Sequence, residues 1–149
     1  MTIRAILGCL LGIAAAAEQD WTQWRGPGRD GVVSAFREPK DWPERLTRRW
    51  QVTVGLGHSS PVVAGRRVYL HSRQGEDEVV SSFELETGKL VWADRYPASY
   101  QVNPAAAFHG KGPKSTPAAS DGRLFTLGIS GILSCYDLQT GKLAWRKDF

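Results

Sequence analysis

Phe-Glu-Leu-Glu-Thr-Gly-Lys-Leu-Val-Trp (residues 83–92) recurs as Tyr-Asp-Leu-Gln-Thr-Gly-Lys-Leu-Ala-Trp (residues 136–145). Each copy places Thr-Gly-Lys between two apolar stretches, and glycine there supplies the left-handed backbone that a hairpin turn needs. The similarity extends upstream, because residues 60–70 and residues 116–126 also match in register, each with a Ser/Thr-Pro start and a Gly-Arg pair. Such self-similarity predicts a repeat fold.

The two copies are spaced almost equally along the chain. Pro61 and Pro117 are 56 positions apart, whereas the tryptophans that close the copies are 53 positions apart. We place the difference in one loop, residues 73–78 of the first copy, which corresponds to a tight turn at residues 130–131 in the second. Variation confined to a loop is typical of repeat proteins.

Each copy predicts short β-strands. Residues 68–70 and 124–127 are β-rich and follow turn residues, and residues 81–85 alternate polar and apolar, as in a half-buried strand. Four short strands in a period of about 50 residues are typical of a β-propeller blade. The sequence therefore predicts an all-β fold of four-stranded antiparallel blades.

The closing tryptophans of the two copies, Trp92 and Trp145, are predicted to be structural. A blade must bury both faces against its neighbours, and a large ring on the outer strand fills the wedge between blades, burying on the order of 200 Å². Stacking on a cofactor is the weaker interpretation for residues that recur at the repeat period.

The two copies resemble the tryptophan-docking motif of pyrroloquinoline-quinone (PQQ) repeat proteins, Asp-x-x-Thr-Gly-Lys-x-x-Trp. The second copy matches this motif at every fixed position, and the first departs at Glu84, which predicts a looser turn because the longer side chain reaches further. The resemblance covers residues 46–149. Residues 21–31 look like the leader of secreted bacterial PQQ-repeat propellers of unassigned role. On these residues the chain is similar to the N-terminal part of a secreted bacterial member.

The resemblance implies two kinds of protein, and fold alone does not choose between them. Quinoprotein dehydrogenases hold PQQ and Ca²⁺ at the axis of the ring and oxidise alcohols or sugars. Non-enzymatic propellers use the same blades to bind a protein or polymer partner at the funnel. We favour an exported binding or scaffold module and keep a PQQ- and Ca²⁺-dependent dehydrogenase as the alternative. A purely structural surface repeat is a third hypothesis.

The predicted organisation has a signal peptide, a leader and a partial ring. The signal peptide covers residues 1–17, the leader loop residues 18–45 and the partial propeller residues 46–149. Within the partial propeller we predict an orphan outer strand at 46–54, blade one at 57–96, a connection at 97–113 and blade two at 114–149. The leader is expected to be turn-rich, with Trp21 and Trp24 as anchors.

The orphan strand predicts that further blades lie C-terminal to this stretch. Residues 46–52 resemble the outer strand that ends in Trp92, yet no hairpin precedes them, so Trp50 is assigned to the last blade of a closed ring. Two blades do not close a ring, since propellers have about 4–8. Assembly from several copies of the chain is the alternative.

Residues 1–17 predict export. Arg4 precedes an apolar run, residues 5–17, that ends in an Ala-x-Ala pattern, so cleavage is expected after Ala17 and the protein is expected in the periplasm or outside the cell. The run is shorter than a membrane span, which takes about 20 residues. An N-terminal anchor, a buried helix, and lipid attachment at Cys9 are the alternatives. No segment beyond residue 17 is expected to span a membrane.

The charge distribution and the surroundings of Cys135 bear on two further kinds of function, nucleic-acid binding and catalysis by a thiol. The net charge is +4, but the basic residues are scattered, which argues against a nucleic-acid surface. Cys135 lies in an apolar strand pattern and is interpreted as a buried, inert thiol rather than a catalytic one.

The polar residues that remain as candidates flank blade one. They are His58, Ser59, Ser60, Asn103, His109, Lys111 and Lys114. The stretch 58–60 is expected to begin the innermost strand, and the long connection that follows blade one is either a functional loop or a solvated one. No catalytic or cofactor-binding residue is assigned, and no metal site is predicted, because the three histidines lack ligand spacing. Whether the protein is an enzyme stays open.

The export prediction has a direct test. We expect the mature protein to begin at Glu18, since signal peptidase requires small residues at the two positions that Ala15 and Ala17 occupy. Intact-mass measurement of the protein purified from its native host checks this. A chain that retains Met1, or one that begins with a lipid-modified Cys9, would contradict it.

Overall fold

The structure is a computed structural model and describes residues 20–34 and 36–149. The predicted signal peptide, residues 1–17, lies outside the described residues, together with its cleavage site after Ala17 and the alternative lipid site at Cys9.

Two antiparallel sheets of four strands each make up the fold, which confirms the all-β, blade-like prediction. Within each sheet the strands lie side by side in chain order. The strands are β1 (Val62–Ala64), β2 (Arg67–Gln74), β3 (Asp77–Glu84) and β4 (Leu90–Pro97) in blade one, and β5 (Ala118–Ser120), β6 (Arg123–Leu127), β7 (Leu133–Asp137) and β8 (Leu143–Lys147) in blade two.

A short 3-10 helix, Pro104–His109, lies between the two blades. In the described part of the chain no helix has the length and apolar character needed to cross a membrane.

The Thr-Gly-Lys turns join the third and fourth strands of each blade, as predicted. Gly88 and Gly141 have φ angles of 69° and 72°, and glycine adopts this left-handed region without steric cost. Their amides donate to the carbonyls of Glu84 and Asp137, each over 2.9 Å. The repeat therefore closes the same hairpin twice.

The two turns differ at the position where the first copy departs from the motif. One carboxylate oxygen of Asp137 accepts hydrogen bonds from the Thr140 amide at 2.8 Å, the Thr140 hydroxyl at 2.7 Å and the Gln139 amide at 3.2 Å. These bonds, that of the Thr140 amide foremost, hold the pKa of Asp137 below its usual value. Glu84 accepts only the Thr87 hydroxyl among these turn donors, at 2.6 Å. The first turn thus has the looser bonding that the longer side chain predicts.

The prediction of a loop at residues 73–78 was wrong. Arg73 pairs with Glu78, and Gln74 pairs with Asp77, so only Gly75 and Glu76 form the turn. Gly75 has a φ of 65°, which suits a two-residue hairpin. The extra residues of the first copy lengthen the hairpin, because β2 and β3 have eight residues each and β6 and β7 have five.

The expectation that residues 81–85 form a half-buried strand also needs correction. Ser82 and Phe83 are both buried, although they point to opposite faces of β3. A middle strand of a blade is covered on both faces, so alternation of polar and apolar residues does not report exposure here.

The hydrophobic core lies between the two blades. It joins Val62, Tyr69 and Val80 of blade one to Leu124 and Tyr136 of blade two, all of which are fully or almost fully buried. Trp92 packs against this core, and its ring is stacked on Tyr136 with centroids 6.1 Å apart. The structural role predicted for Trp92 is therefore confirmed.

Trp92 reaches across to the turn of the next blade. A Cβ on Gly141 would lie 2.4 Å from the Trp92 ring, so glycine is needed there for space as well as for its φ. Trp50 stands in the same relation to Gly88, where the corresponding distance is 2.6 Å, and its indole N–H donates to the Leu85 carbonyl at 2.8 Å. Trp50 thus occupies the place of the outer-strand tryptophan of a preceding blade.

Residues 46–54 form no regular strand among the described residues. A strand that pairs with another part of the ring would have no partner here, so the orphan-strand assignment stays a prediction. Trp145, the last tryptophan of the repeat, contacts Phe125 and is 40% exposed.

The leader crosses the inner edges of both blades. The amide and carbonyl of Trp21 pair with those of Val63 at 2.8 and 2.9 Å, and the Thr22 carbonyl accepts from the Ala119 amide at 2.8 Å. Trp24 is 61% exposed, so the expectation that it anchors the leader was wrong and Trp21 alone has that role.

Gly122 and Gly141 have the same φ angle, but only Gly141 contacts a tryptophan ring, so substitutions at the two positions distinguish the effect of that contact from the effect of backbone strain. Gly122 also has a φ of 72°, but nothing lies within 4 Å of its added Cβ. We expect Gly122→Ala to lower the free energy of unfolding by about 1 kcal/mol through backbone strain, and Gly141→Ala to lower it by about 2 kcal/mol more through the clash with Trp92. Urea unfolding of the two variants measures this, and equal losses would contradict it.

Candidate functional site

The ends of the strands define two faces of the blades. One end of the blades is named the connection face. At this end β1 begins, residues 75–76 connect β2 to β3, and residues 98–117 connect the two blades. The opposite end, the turn face, carries the Thr-Gly-Lys turns. Binding residues gather on loops that a rigid scaffold positions, and the connection face carries the longest loop between two strands of the described residues.

The connection is an ordered loop. Asn103 begins the 3-10 helix by accepting the Ala105 amide on its side chain at 3.0 Å. Gly112 lies against the backbone at residue 57, where an added Cβ would come within 2.5 Å of the Gly57 Cα. This approach folds the end of the connection onto the start of blade one, because neither glycine has a side chain to prevent it.

His58 fastens the connection to blade one. Its Nε2 lies 2.9 Å from the His109 carbonyl, and its amide donates to the Pro113 carbonyl at 2.8 Å. The two histidine rings are 6.3 Å apart, edge to face. Lys114 also donates to the His109 carbonyl. The structure therefore brings together three of the predicted candidates, His58, His109 and Lys114.

The predicted serines have structural partners. Ser59 donates to the His71 carbonyl at 2.6 Å, and the Ser60 amide donates to the Thr116 hydroxyl at 3.1 Å. β1 begins at Val62, so residues 58–60 precede the innermost strand rather than begin it. These contacts hold the approach to β1 in place.

Lys111 belongs to an ionic group that the sequence did not indicate. Its Nζ lies 3.3 Å from one oxygen of Glu76, whose other oxygen lies 3.0 Å from Nη2 of Arg73. The hydrogen bond from Lys111, followed by that from Arg73, holds the pKa of Glu76 below its usual value. Arg73 is buried and also donates to the carbonyls of Gly75 and Glu76. The hairpin turn thereby fixes one exposed carboxylate between two cations.

A second polar cluster is buried between the blades. Tyr96 donates to Glu78 at 2.9 Å, and His71 Nε2 lies 3.0 Å from the Tyr96 hydroxyl and 3.3 Å from Glu78. The other oxygen of Glu78 accepts the Ile129 amide of blade two at 2.8 Å. Gly128 leaves room for this contact, because its Cβ would lie 2.1 Å from the carboxylate.

An ionic group adjoins this cluster. Arg146 of blade two contacts Asp94 of blade one at 2.6 Å and lies over the Tyr96 ring, 3.8 Å from its centroid. Tyr136 donates to the same Asp94 oxygen at 2.9 Å. Burial raises the pKa of Tyr136 to about 12 and also raises that of Tyr96, so both hydroxyls keep their protons and donate.

The buried cluster works as a joint between blades. His71, Glu78 and Tyr96 are each at most 3% exposed, so a solute has no access to them. Their hydrogen bonds connect β2, β3 and β4 of blade one to the 128–132 turn of blade two. Sequence reasoning missed this cluster, since its members are separated in the chain and share no motif; the hairpin register brings them together.

The described residues do not fit a calcium site. In residues 20–34 and 36–149 no three side chains of His, Cys, Asp or Glu converge as metal ligands. The buried carboxylate of Glu78 and the half-buried one of Asp94 already accept protein donors. Among the described residues Cys135 is a free thiol, and its burial agrees with the interpretation of an inert cysteine.

Comparison with known proteins gives a family match over most of the chain. The family model described as outer membrane protein assembly factor BamB matches residues 43–112 and 76–149. A relative with that description from Moranella endobia (strain PCIT) is 28% identical over 92 residues, which cover 62% of this chain and 22% of the relative.

Solved structures with a similar chain path were also found. A europium-containing methanol dehydrogenase matches with a TM-score of 0.46 and 23% identity, over 70% of this chain and 18% of that one. BamB from Moraxella catarrhalis matches with a TM-score of 0.39 and 14% identity, over 66% of this chain and 42% of that one.

The joint predicts a pH dependence of stability. Burial opposes the charge of Glu78, but hydrogen bonds from His71, Ile129 and Tyr96 together outweigh it and hold the pKa of Glu78 below its usual value of 4.5. The ionised form therefore stabilises the fold above about pH 4.5, and this stabilisation is lost as the pH falls through the lowered pKa.

Glu78→Gln is expected to remove this part of the pH dependence and to lower the free energy of unfolding at pH 7 by about 2 kcal/mol. Glu86→Gln is the matched control, because Glu86 is 45% exposed and its ion pair with Arg49 is on the surface. Urea unfolding from pH 3 to pH 7 measures both variants. Parallel stability curves for Glu78→Gln and the unmodified protein would contradict the assignment.

Proposed function

Because the chain belongs to the PQQ-repeat family described as outer membrane protein assembly factor BamB, we propose that it is part of an exported β-propeller that binds a protein or polymer partner on its connection face. The chain spans 22% of the length of the relative it matches, so the proposal concerns the surface that these two blades provide.

The ordered connection is the observation that carries this proposal. Residues 98–117 are fastened to blade one by His58, by the contact of Gly57 with Gly112, and by the cap at Asn103. A loop that is already ordered loses little conformational freedom on binding, which favours affinity. The joint at Glu78 fixes the neighbouring turn of blade two to the same framework.

Two further features support a larger, exported propeller. Residues 1–17 have the composition of a signal peptide, and the matched relative is described as an outer membrane assembly factor. Leu127, Leu143 and Trp145 of blade two are all at least 40% exposed, and we propose that another blade covers them, as blade two covers Trp92.

A PQQ- and Ca²⁺-dependent dehydrogenase is the alternative that the family resemblance implies. The carboxylates of Glu78 and Asp94 accept protein donors, and within residues 20–34 and 36–149 no three His, Cys, Asp or Glu side chains converge as metal ligands. No step of such a reaction is assigned to residues of this chain, and the binding function is the one we propose.

Site-specific photocrosslinking in the native host tests the proposal. A benzophenone side chain at position 108, on the connection face, is expected to capture one discrete partner because Phe108 is 81% exposed. The same side chain at position 142, in the Thr-Gly-Lys turn of the turn face, is the control and is expected to capture none. Mass spectrometry identifies the crosslinked species.

Capture from position 142 alone, or from neither position, would overturn the proposed binding face. The dehydrogenase alternative has its own measurement, which is dye-linked oxidation of alcohols and sugars after PQQ and Ca²⁺ are added to the protein. Activity that depends on both additions would replace the binding proposal with the enzymatic one.

A further inference from the structure

The connection carries positive charge and no carboxylate side chain. Residues 96–120 contain Lys111, Lys114 and His109 but no Asp or Glu, whereas the whole chain has 15 acidic residues. Positive charge on a surface loop attracts an oppositely charged partner and increases the rate of encounter.

Lys114 has no carboxylate partner among the described residues. Its ammonium donates to the His109 carbonyl, and no ion pair within residues 20–34 and 36–149 involves it. An ammonium has three N–H donors, so two N–H groups of Lys114 do not take part in the bond to the His109 carbonyl. The contact with His109 also fixes where the charge sits on the connection face.

Lys111 and the buried Arg73 share one carboxylate. Glu76 contacts both cations, at 3.3 and 3.0 Å, and is 72% exposed. An incoming carboxylate that binds Lys111, which is 43% exposed, leaves Glu76 free to compensate Arg73. The group therefore has an excess of positive charge that a ligand can neutralise without leaving a buried charge unpaired.

Phe108 adds an apolar contact beside these charges. Its ring is 81% exposed and lies against the His109 ring, with centroids 3.8 Å apart. The two rings are tilted by 39° to one another, and His109 is the same residue whose carbonyl binds His58 and Lys114. Protein interfaces favour an aromatic anchor of this kind, surrounded by polar groups.

We propose that this patch, formed by Phe108, His109, Lys111 and Lys114, binds an acidic protein segment. Carboxylates of the segment contact the two lysines, and an apolar side chain of the segment packs on Phe108. This rests on the proposed binding function of the connection face and specifies the chemistry of its partner.

The geometry favours a polypeptide over a nucleic acid. Phosphate is recognised best by the fork of an arginine, and the arginine of this group, Arg73, is buried and already bonded to carbonyl groups and Glu76. Single-stranded nucleic acids are bound by several aromatic side chains in series, whereas Phe108 is the exposed aromatic residue of the 3-10 helix. One ring flanked by lysines suits alternating acidic and apolar side chains.

Fluorescence anisotropy with the full-length protein tests the proposal. The probe is a labelled peptide, Glu-Leu-Glu-Phe-Glu-Leu-Glu, and its companion has Gln in place of every Glu. We expect binding of the acidic peptide that weakens with salt, and about tenfold weaker binding to the K111Q/K114Q variant, the combined effect expected of two surface charge contacts. F108A is expected to weaken binding of both peptides.

The control variant is K89Q/K142Q, which removes the same charge from the turn face, where both lysines are exposed. We expect its affinity for the acidic peptide to stay within about twofold of the unmodified protein. Equal weakening by the two double variants would overturn the proposed patch, since net charge alone would then explain binding. Tighter binding of an oligothymidylate would overturn the choice of a protein ligand.

Failure here is distinguishable from failure of the proposed function. If position 108 still captures a partner by crosslinking but the acidic peptide does not bind, the connection face is the binding face and the acidic chemistry is wrong. If neither occurs, both are wrong.

Discussion

The close packing of a tryptophan ring on a glycine of the following repeat is the constraint on which the rest of this fold depends. Trp92 covers Gly141 at a distance that admits no side chain, and Trp50 covers Gly88 in the same way. Because the glycine also needs a left-handed backbone, both its conformation and its neighbour exclude other residues. This contact determines the separation of adjacent blades, and the core of Tyr69, Leu124 and Tyr136 fills the space that results.

The polar joint restricts the relative orientation of the two blades, whose separation the tryptophan contact determines. Apolar packing alone tolerates small rotations of one sheet against another, whereas hydrogen bonds from Glu78 to Tyr96 and Ile129 have a narrow range of distance and angle. Arg146 adds a contact to Asp94 across the same boundary. The joint lies near the connection face, so the orientation that it enforces carries over to the loops that we propose bind a partner.

The sequence predicted the repeating parts of the structure and missed what the repeat does not contain. Thr-Gly-Lys and the tryptophan that follows it are local signals, so the hairpin, its glycine and the role of Trp92 followed from short stretches. The joint of His71, Glu78 and Tyr96 could not be predicted, because it depends on strand register and on a neighbouring blade. His58, before blade one, and His109, in the connection, were candidate residues, but their pairing through a backbone carbonyl depends on the 3-10 helix. Phe108 was overlooked because one aromatic residue among alanines has no distinctive pattern.

The leader links positions that are far apart in the chain. Thr22 bonds to Ala119, and Trp21 bonds to Val63, so both contacts need inner strands that are already in place. Closing so long a loop costs conformational entropy that only preformed blades offset. We therefore expect the first residues of the described chain to reach their native positions late in folding, after the two blades have packed together.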